Sequence, residues 1–93
     1  MGITFEWDEE KAQINLKKHG VTFEEACSVF SSPLSLTIAD PLHSDEENRF
    51  VTLGESSSGR LLVVVSTDRE ETVRIISVRV ATRRERTNYE EGH

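Results

Sequence analysis

VRIISVRVATRRER, residues 73–86, decides the fold, because its pattern changes from that of a strand to that of a helix. The first half alternates, which predicts a strand with two distinct faces. One face takes Val73, Ile75, Ser77 and Arg79, and the other takes Arg74, Ile76, Val78 and Val80. Thr82 followed by Glu85 has the form of a capping box, so a helix is predicted to begin directly after the strand.

The start of this helix is unusually basic. Arg83, Arg84 and Arg86 fall in its first turn, where the helix dipole already presents positive potential and a cation typically costs about 0.3–1 kcal/mol. Together with Arg79 at the end of the strand, they predict a site for an anionic ligand. The alternative is that the arginines pair with the acidic residues of the same helix, which are Glu85, Glu90 and Glu91.

Length and composition predict a single domain spanning residues 1–93. The one cysteine, Cys27, excludes an intramolecular disulfide and a cysteine-rich zinc site. A net charge of −6 argues against nonspecific binding to nucleic acid, yet basic residues cluster in residues 11–19 and again in residues 69–86. No apolar run approaches a membrane span and the first residues lack the form of a signal peptide, so a cytoplasmic protein is expected.

The first third of the chain predicts a strand and two helices. Alternation of Ile3, Phe5 and Trp7 indicates the strand. Asp8 is a good N-cap for a helix that ends at His19 and Gly20. On that helix Ala12 and Leu16 form an apolar stripe, and beside it Lys11, Asn15 and Lys18 form a polar stripe, for which a solvated face is the simpler interpretation.

The second helix is predicted from Thr22, which forms a capping box with Glu25, to the break at Ser31-Ser32-Pro33. Its core-facing stripe consists of Phe23, Ala26, Cys27 and Phe30. Cys27 is therefore interpreted as a small buried residue rather than a reactive thiol.

The remaining chain predicts four strands, beginning with the alternation of Leu34, Leu36 and Ile38. The next is residues 49–55, and the apolar run Leu61–Val65 indicates a central strand buried on both faces. Between Asp40 and Asn48 the chain is acidic. A metal site built from His43, Asp45, Glu46 and Glu47 fits no known spacing, so a solvated loop without metal is expected. The fold class is therefore α+β, ordered β-α-α-β-β-β-β-α, with an antiparallel sheet packed against helices.

Three stretches resemble, in order, the BrnT toxins of bacterial type II toxin–antitoxin modules. They are FEWDEEKAQINLKKHGVTFEEA (5–26), PLSLTIADPLHSDEENRFVTLGESSSGRLLVVVST (33–67) and RIISVRVATRRERTNYEEG (74–92). The resemblance implies a small RelE-like domain, ribonuclease activity that halts translation, and no cofactor. It also implies neutralisation by a BrnA-like ribbon-helix-helix antitoxin, in a 2:2 heterotetramer that binds its own promoter DNA through the antitoxin.

Cleavage of RNA by its own 2′-hydroxyl needs a base, an acid and a group that stabilises the pentacovalent phosphate, but no metal. His19 is the first candidate for proton transfer, because histidine ordinarily titrates near neutral pH, and Lys18 is the second. The planar guanidinium suits phosphate, which makes Arg49, Arg79 and Arg83 the candidates for that role. RNA contacts are predicted for Trp7, Lys11, Arg84 and Tyr89, with the two aromatic rings stacking on bases.

Alternatives remain open for three of these residues and for the function. Trp7 is equally suited to the core, Tyr89 to docking the last helix, and His19 to capping a helix. Val80 stands where the family pattern often has a second arginine, which predicts weaker or differently selective phosphate binding. The alternative function is that of a non-catalytic antitoxin-binding protein acting as a transcriptional co-repressor.

Overall fold

The elements follow the predicted order β-α-α-β-β-β-β-α. The structure is a computed structural model that describes residues 3–43 and 48–92, except for the side chain of residue 43. Its strands and helices are β1 (Thr4–Glu6), α1 (Glu9–His19), α2 (Phe23–Val29), β2 (Leu36–Ala39), β3 (Arg49–Glu55), β4 (Leu61–Arg69), β5 (Thr72–Val80) and α3 (Arg83–Glu91). The candidate metal ligands Asp45, Glu46 and Glu47, and the side chain of His43, lie outside the described residues. Among the described residues, no three acidic, histidine or cysteine side chains are grouped so as to hold a metal ion.

The five strands form one sheet in the order β1-β5-β4-β3-β2. The last four strands of the chain pair antiparallel as predicted, whereas β1 pairs parallel to β5. β4 lies at the centre, and Leu61 to Val64 are buried. β2 is an edge strand whose four residues are all exposed. None of the described helices is long and apolar enough to cross a membrane.

The core lies between the sheet and the two helices α1 and α2. Its buried residues are Val21, Phe23, Ala26, Val29, Leu62, Val64, Val73, Ile75 and Val78. Trp7 packs edge-on against Phe23, with ring centroids 6.0 Å apart. Cys27 is half-buried beside this core, and burial raises the pKa of its thiol to about 11, so the group stays protonated at neutral pH.

The predicted division of β5 into two faces is wrong beyond Ile75. Val65 of β4 pairs with Ser77, whereas its neighbour Ser66 pairs with Ile75, so Ile76 has no partner in register. This β-bulge adds one residue to β5 and reverses the alternation after it. Val73, Ile75 and Val78 consequently share the core face, and Ser77 and Arg79 lie on the opposite, open face.

The prediction of a solvated polar stripe on α1 is wrong at Asn15, which is only 6% exposed. Its Nδ2 donates to the carbonyl oxygens of Val21 and Val78, at 3.2 and 2.9 Å, and its Oδ1 accepts from the Val78 N–H at 3.1 Å. β1 pairs with β5 only as far as Arg74, so Val78 has no β1 partner. Asn15 hydrogen-bonds the Val78 N–H and C=O groups, which have no partner on β1. This explains why a polar residue faces inward while Leu16 is 46% exposed.

The predicted capping box at the start of α2 is only half formed. Thr22 Oγ1 accepts from the Glu25 N–H at 3.0 Å, as predicted. The Glu25 carboxylate, however, accepts from Arg60 and from the hydroxyls of Ser56 and Ser58 instead of returning to the helix start. A charged donor outcompetes the backbone N–H for this carboxylate.

Candidate active site

An open groove of about 250 Å³ brings three of the predicted catalytic residues together. We call it the arginine groove. His19 comes from the end of α1, Arg49 from the start of β3 and Arg79 from the end of β5. The remaining lining residues are Asp40, Leu42, Val51, Val63, Val65, Ser77 and Val78. Arg49 and Arg79, 30 positions apart in the sequence, share one surface because β3 and β5 flank the same central strand. His19 joins them from α1, which packs against β5.

His19 is held by the way in which α1 ends. Gly20 adopts a left-handed conformation with φ of 71°, and its N–H donates to the Leu16 carbonyl at 2.8 Å. That conformation is costly for a residue with a Cβ, so glycine fixes the helix end at His19. The imidazole is half-buried and borders the groove.

Arg49 is paired with a buried carboxylate. Its Nε lies 3.0 Å from Asp40 Oδ2, and Asp40 is only 5% exposed. Asp40 Oδ1 accepts in turn from the Leu42 N–H at 3.0 Å. Asp40 therefore orients the guanidinium of Arg49 at the wall of the groove.

Arg79 forms a bidentate pair with Glu85, the third residue of α3. Its two terminal nitrogens lie 2.8 Å from the two carboxylate oxygens. Glu85 also accepts from the Thr82 N–H at 2.8 Å, and Thr82 Oγ1 accepts from the Glu85 N–H at 3.2 Å, so the predicted capping box is confirmed. The Arg79 hydrogen bonds are the main reason that the pKa of Glu85 falls to about 2, and the same contact raises the pKa of Arg79. Both groove arginines thus have a carboxylate partner.

A second open groove, of about 200 Å³, adjoins the first. We call it the lysine groove. It shares His19 and Ser77 with the arginine groove and is also lined by Lys11, Ile14, Asn15, Lys18 and Ile76. Two more of the predicted residues, Lys11 and Lys18, are therefore close to His19.

The other predicted residues line neither groove. Arg83 and Arg84 are exposed on α3, where Tyr89 is half-buried. Arg86 lies 3.9 Å from Glu90, so pairing within α3, the alternative to an anion site, occurs at this position. Trp7 packs against Phe23, and its Nε1–H donates to Glu9 at 3.3 Å. This placement favours the core interpretation of Trp7 over base stacking.

Sequence reasoning missed the residues that support the groove. Asp40 looked like the break after a strand, whereas Glu85 was predicted as a helix cap and, in the alternative to an anion site, as a partner of the arginines. Asn15 looked like part of a solvated face, although its amide is bonded to Val78, between two residues of the arginine groove. The sequence offered one signal for a buried Asn15. It is the only uncharged residue in the stripe with Lys11 and Lys18, and it lies one turn before His19.

The fold and its grooves define a small α+β domain with paired arginines on an open sheet face. The family model for "Ribonuclease toxin, BrnT, of type II toxin-antitoxin system" matches residues 7–85. The chain belongs to this family, as the sequence resemblance indicated. No curated protein matches the chain.

A solved structure supports the fold. The 1.1 Å crystal structure of the Brucella abortus ribonuclease toxin BrnT is 24% identical in sequence and superposes with a TM-score of 0.66. The match covers 89% of this chain and 99% of the other. Family membership assigns the chain the role of a toxin in a type II module, with an antitoxin partner and an RNA target.

Proposed function

We propose that the chain is an endoribonuclease that cleaves RNA in the arginine groove through the 2′-hydroxyl of the RNA itself, without a metal ion. The observation that carries this proposal is the convergence of His19, Arg49 and Arg79, from three separate elements, on one groove. His19 supplies one proton-transfer group, and the two guanidinium groups supply the stabilisation of the pentacovalent phosphate that this reaction needs.

The roles follow from the contacts. His19 moves a proton at the 2′-hydroxyl or at the leaving 5′-oxygen. Arg49 and Arg79 bind the scissile phosphate, whose charge rises in the pentacovalent transition state. Each guanidinium is planar, and its carboxylate partner fixes that plane at the groove. Arg83, Arg84 and Tyr89 on α3 are proposed to contact RNA outside the groove.

The proposed partner is a ribbon-helix-helix antitoxin of the BrnA type, in a 2:2 assembly that binds promoter DNA through the antitoxin. In the absence of this antitoxin the toxin cleaves RNA in the cytoplasm and halts translation. The family to which the chain belongs supports an antitoxin partner and an RNA target. The antitoxin type, the 2:2 assembly and the promoter binding rest on the sequence resemblance.

The test uses purified chain without antitoxin, incubated with RNA in EDTA. Cleavage in EDTA is the expected result, and cleavage that appears only after Mg²⁺ is added contradicts the metal-free mechanism. His19→Ala is expected to lower the rate by about 100-fold or more, which is a typical loss for a general acid or base. Circular dichroism checks that the variant is folded. In cells, wild-type chain expressed alone should arrest growth, and His19→Ala should relieve the arrest.

One observation favours a non-catalytic co-repressor as the second candidate. Both groove arginines are already paired with carboxylates, Arg49 with Asp40 and Arg79 with Glu85, so phosphate must compete for them. Under this alternative, soluble wild-type chain permits normal growth and cleaves no RNA, but still tightens the binding of the antitoxin to DNA.

A further inference from the structure

The lysine groove differs from the arginine groove in the charge that it presents. Within the described part of the chain, no carboxylate lies within 4.0 Å of the ammonium group of Lys11 or Lys18. Both lysines are exposed at the groove wall. The uncompensated positive charge near His19 therefore lies in the lysine groove, and a polyanion is attracted there first.

The two lysines lie along one helix, seven residues apart. A rise of 1.5 Å per residue separates their backbones by about 10 Å along α1. Ile14 lies between them in the sequence and is 59% exposed. On the strand side, the bulge of β5 leaves Ile76 without a partner in register, and its side chain lines the same groove. The groove therefore combines two ammonium groups with an aliphatic surface.

This combination matches a nucleotide of single-stranded RNA. Ammonium groups follow the phosphate backbone, and apolar side chains pack against the face of a base without hydrogen bonds that select its identity. The groove shares His19 and Ser77 with the arginine groove, so a strand that passes over these two residues contacts both grooves.

We propose that the lysine groove is the subsite for the nucleotide next to the scissile phosphate, with Lys11 and Lys18 on the backbone and Ile14 and Ile76 against the base. This inference rests on the proposed function, because it places the flanking nucleotide relative to a cleavage site in the arginine groove. It assigns Lys18 to substrate binding rather than to proton transfer.

The experiment compares two substrates in steady-state kinetics. One is a dinucleotide that contains only the scissile phosphate, and the other carries two further nucleotides on each side. For wild-type chain, KM is expected to be at least tenfold lower for the longer substrate. In the double variant Lys11→Ala, Lys18→Ala, most of this length-dependent decrease in KM, which we call the length-dependent gain, should disappear. The slope of log KM against log salt for the longer substrate should fall by about 1.4, because each phosphate contact on a single strand contributes about 0.7.

Two single variants give the experiment its controls. Lys17→Ala removes a neighbouring charge of α1 that lines neither groove, and it should retain the full length-dependent gain. Lys18→Arg keeps the positive charge but cannot exchange a proton near neutral pH, and it should retain most of the length-dependent decrease in KM. Loss of activity in Lys18→Arg identifies Lys18 as a proton-transfer group and overturns the inference.

The remaining outcomes separate the inference from the proposed function. An unchanged length-dependent gain in the double variant overturns the subsite and leaves the cleavage mechanism intact. The same is true if the double variant loses antitoxin binding while its RNA kinetics are unaffected, because the groove then serves a protein. If wild-type chain cleaves neither substrate, the proposed function itself fails.

Discussion

Two threonine–glutamate pairs with the same spacing begin two different helices, but only one of them forms a complete capping box. Thr22 and Glu25 begin α2, whereas Thr82 and Glu85 begin α3. In both pairs the threonine hydroxyl accepts from the glutamate N–H, and the carboxylate binds an arginine. Glu25 lies 2.6 Å from Arg60, and Glu85 lies 2.8 Å from Arg79. In both cases hydrogen bonding to the arginine is the main reason that the pKa of the glutamate falls to about 2.

The difference is in what each pair holds. Glu25 also accepts from Ser56 and Ser58, and with Arg60 it fastens the β3–β4 turn to α2. None of these residues lines either groove, although Arg60 also donates to the Gly20 carbonyl at 3.3 Å. Glu85 closes its capping box and holds Arg79 in the arginine groove. Pairs of nearly equal geometry therefore have a structural role in one place and a proposed functional role in the other. Geometry of an ion pair alone does not distinguish them, but the surface that the arginine lines does.

The largest expected effect is on the rate of RNA cleavage, and it distinguishes Arg79 from Arg60. Arg79→Ala should lower the rate of RNA cleavage by about 100- to 1,000-fold, the usual loss when one donor to a developing negative charge is removed. Arg60→Ala should cleave RNA at the wild-type rate under conditions where it is folded. Single-turnover cleavage of a labelled RNA measures both rates. Equal losses in the two variants contradict the assignment of Arg79 to phosphate.

The next effect is on stability, where the Glu25 pair is expected to contribute more than the Glu85 pair. Glu25→Gln should lower the free energy of unfolding by about 1–3 kcal/mol, because it weakens hydrogen bonds from Arg60 and two serines to a carboxylate that is only 15% exposed. Glu85→Gln should cost less, about 0.5–1 kcal/mol, since this pair is more open to solvent. Urea unfolding at neutral pH measures both values. A larger loss in Glu85→Gln than in Glu25→Gln contradicts the structural assignment of the Glu25 pair.

The order of elements could be predicted from the sequence because its signals are local. The cap at Asp8, the glycine at the end of α1 and the box at Thr82 each act within four residues. The alternation of β3 and the apolar run of β4 are also properties of neighbouring residues. Such signals survive tertiary packing where the carboxylate binds its arginine and the helix start together, as at Glu85, and fail where its other donors hold it away from the helix start, as at Glu25.

The candidate site was predicted in its residue types but not in its supports. His19, Arg49 and Arg79 followed from the chemistry of RNA cleavage and from the family resemblance. Asn15 bonds to a strand 63 residues away, and the bulge at Ile76 depends on the register with β4. Neither feature produces a periodic pattern in the sequence. The bulge also explains why the predicted faces of β5 were wrong at Val78, although the strand itself was correct.

Acid should weaken both glutamate–arginine pairs over the same range of pH. The pKa of each carboxylate is lowered from 4.5 to about 2, so each stabilises the folded state fully above pH 4.5. That contribution is lost as the pH falls from 4.5 toward 2, because the carboxylate then becomes protonated. In the double variant Glu25→Gln, Glu85→Gln, Tm should fall less between pH 5 and pH 3 than in the wild type. Differential scanning calorimetry at several pH values measures this, and parallel curves for the two proteins contradict it.

The smallest expected effect concerns Val80, where the sequence resemblance led us to expect a second arginine. Val80 pairs with Leu62, a core residue, so it lies on the opposite face of β5 from Arg79. Val80 is 42% exposed, which leaves room for a longer side chain without disturbing the core.

An arginine at position 80 acts on RNA in the arginine groove only across the strand, through a solvent-screened charge. At a separation of about 10 Å in water this interaction is worth about 0.4 kcal/mol, or roughly a twofold change in KM. Val80→Arg should therefore lower KM for RNA about twofold at low ionic strength and leave it unchanged at 0.5 M salt, where the screening length is much shorter. A tenfold or salt-independent gain in the same assay shows that position 80 reaches the phosphate directly, and the arginine groove then extends around the edge of β5.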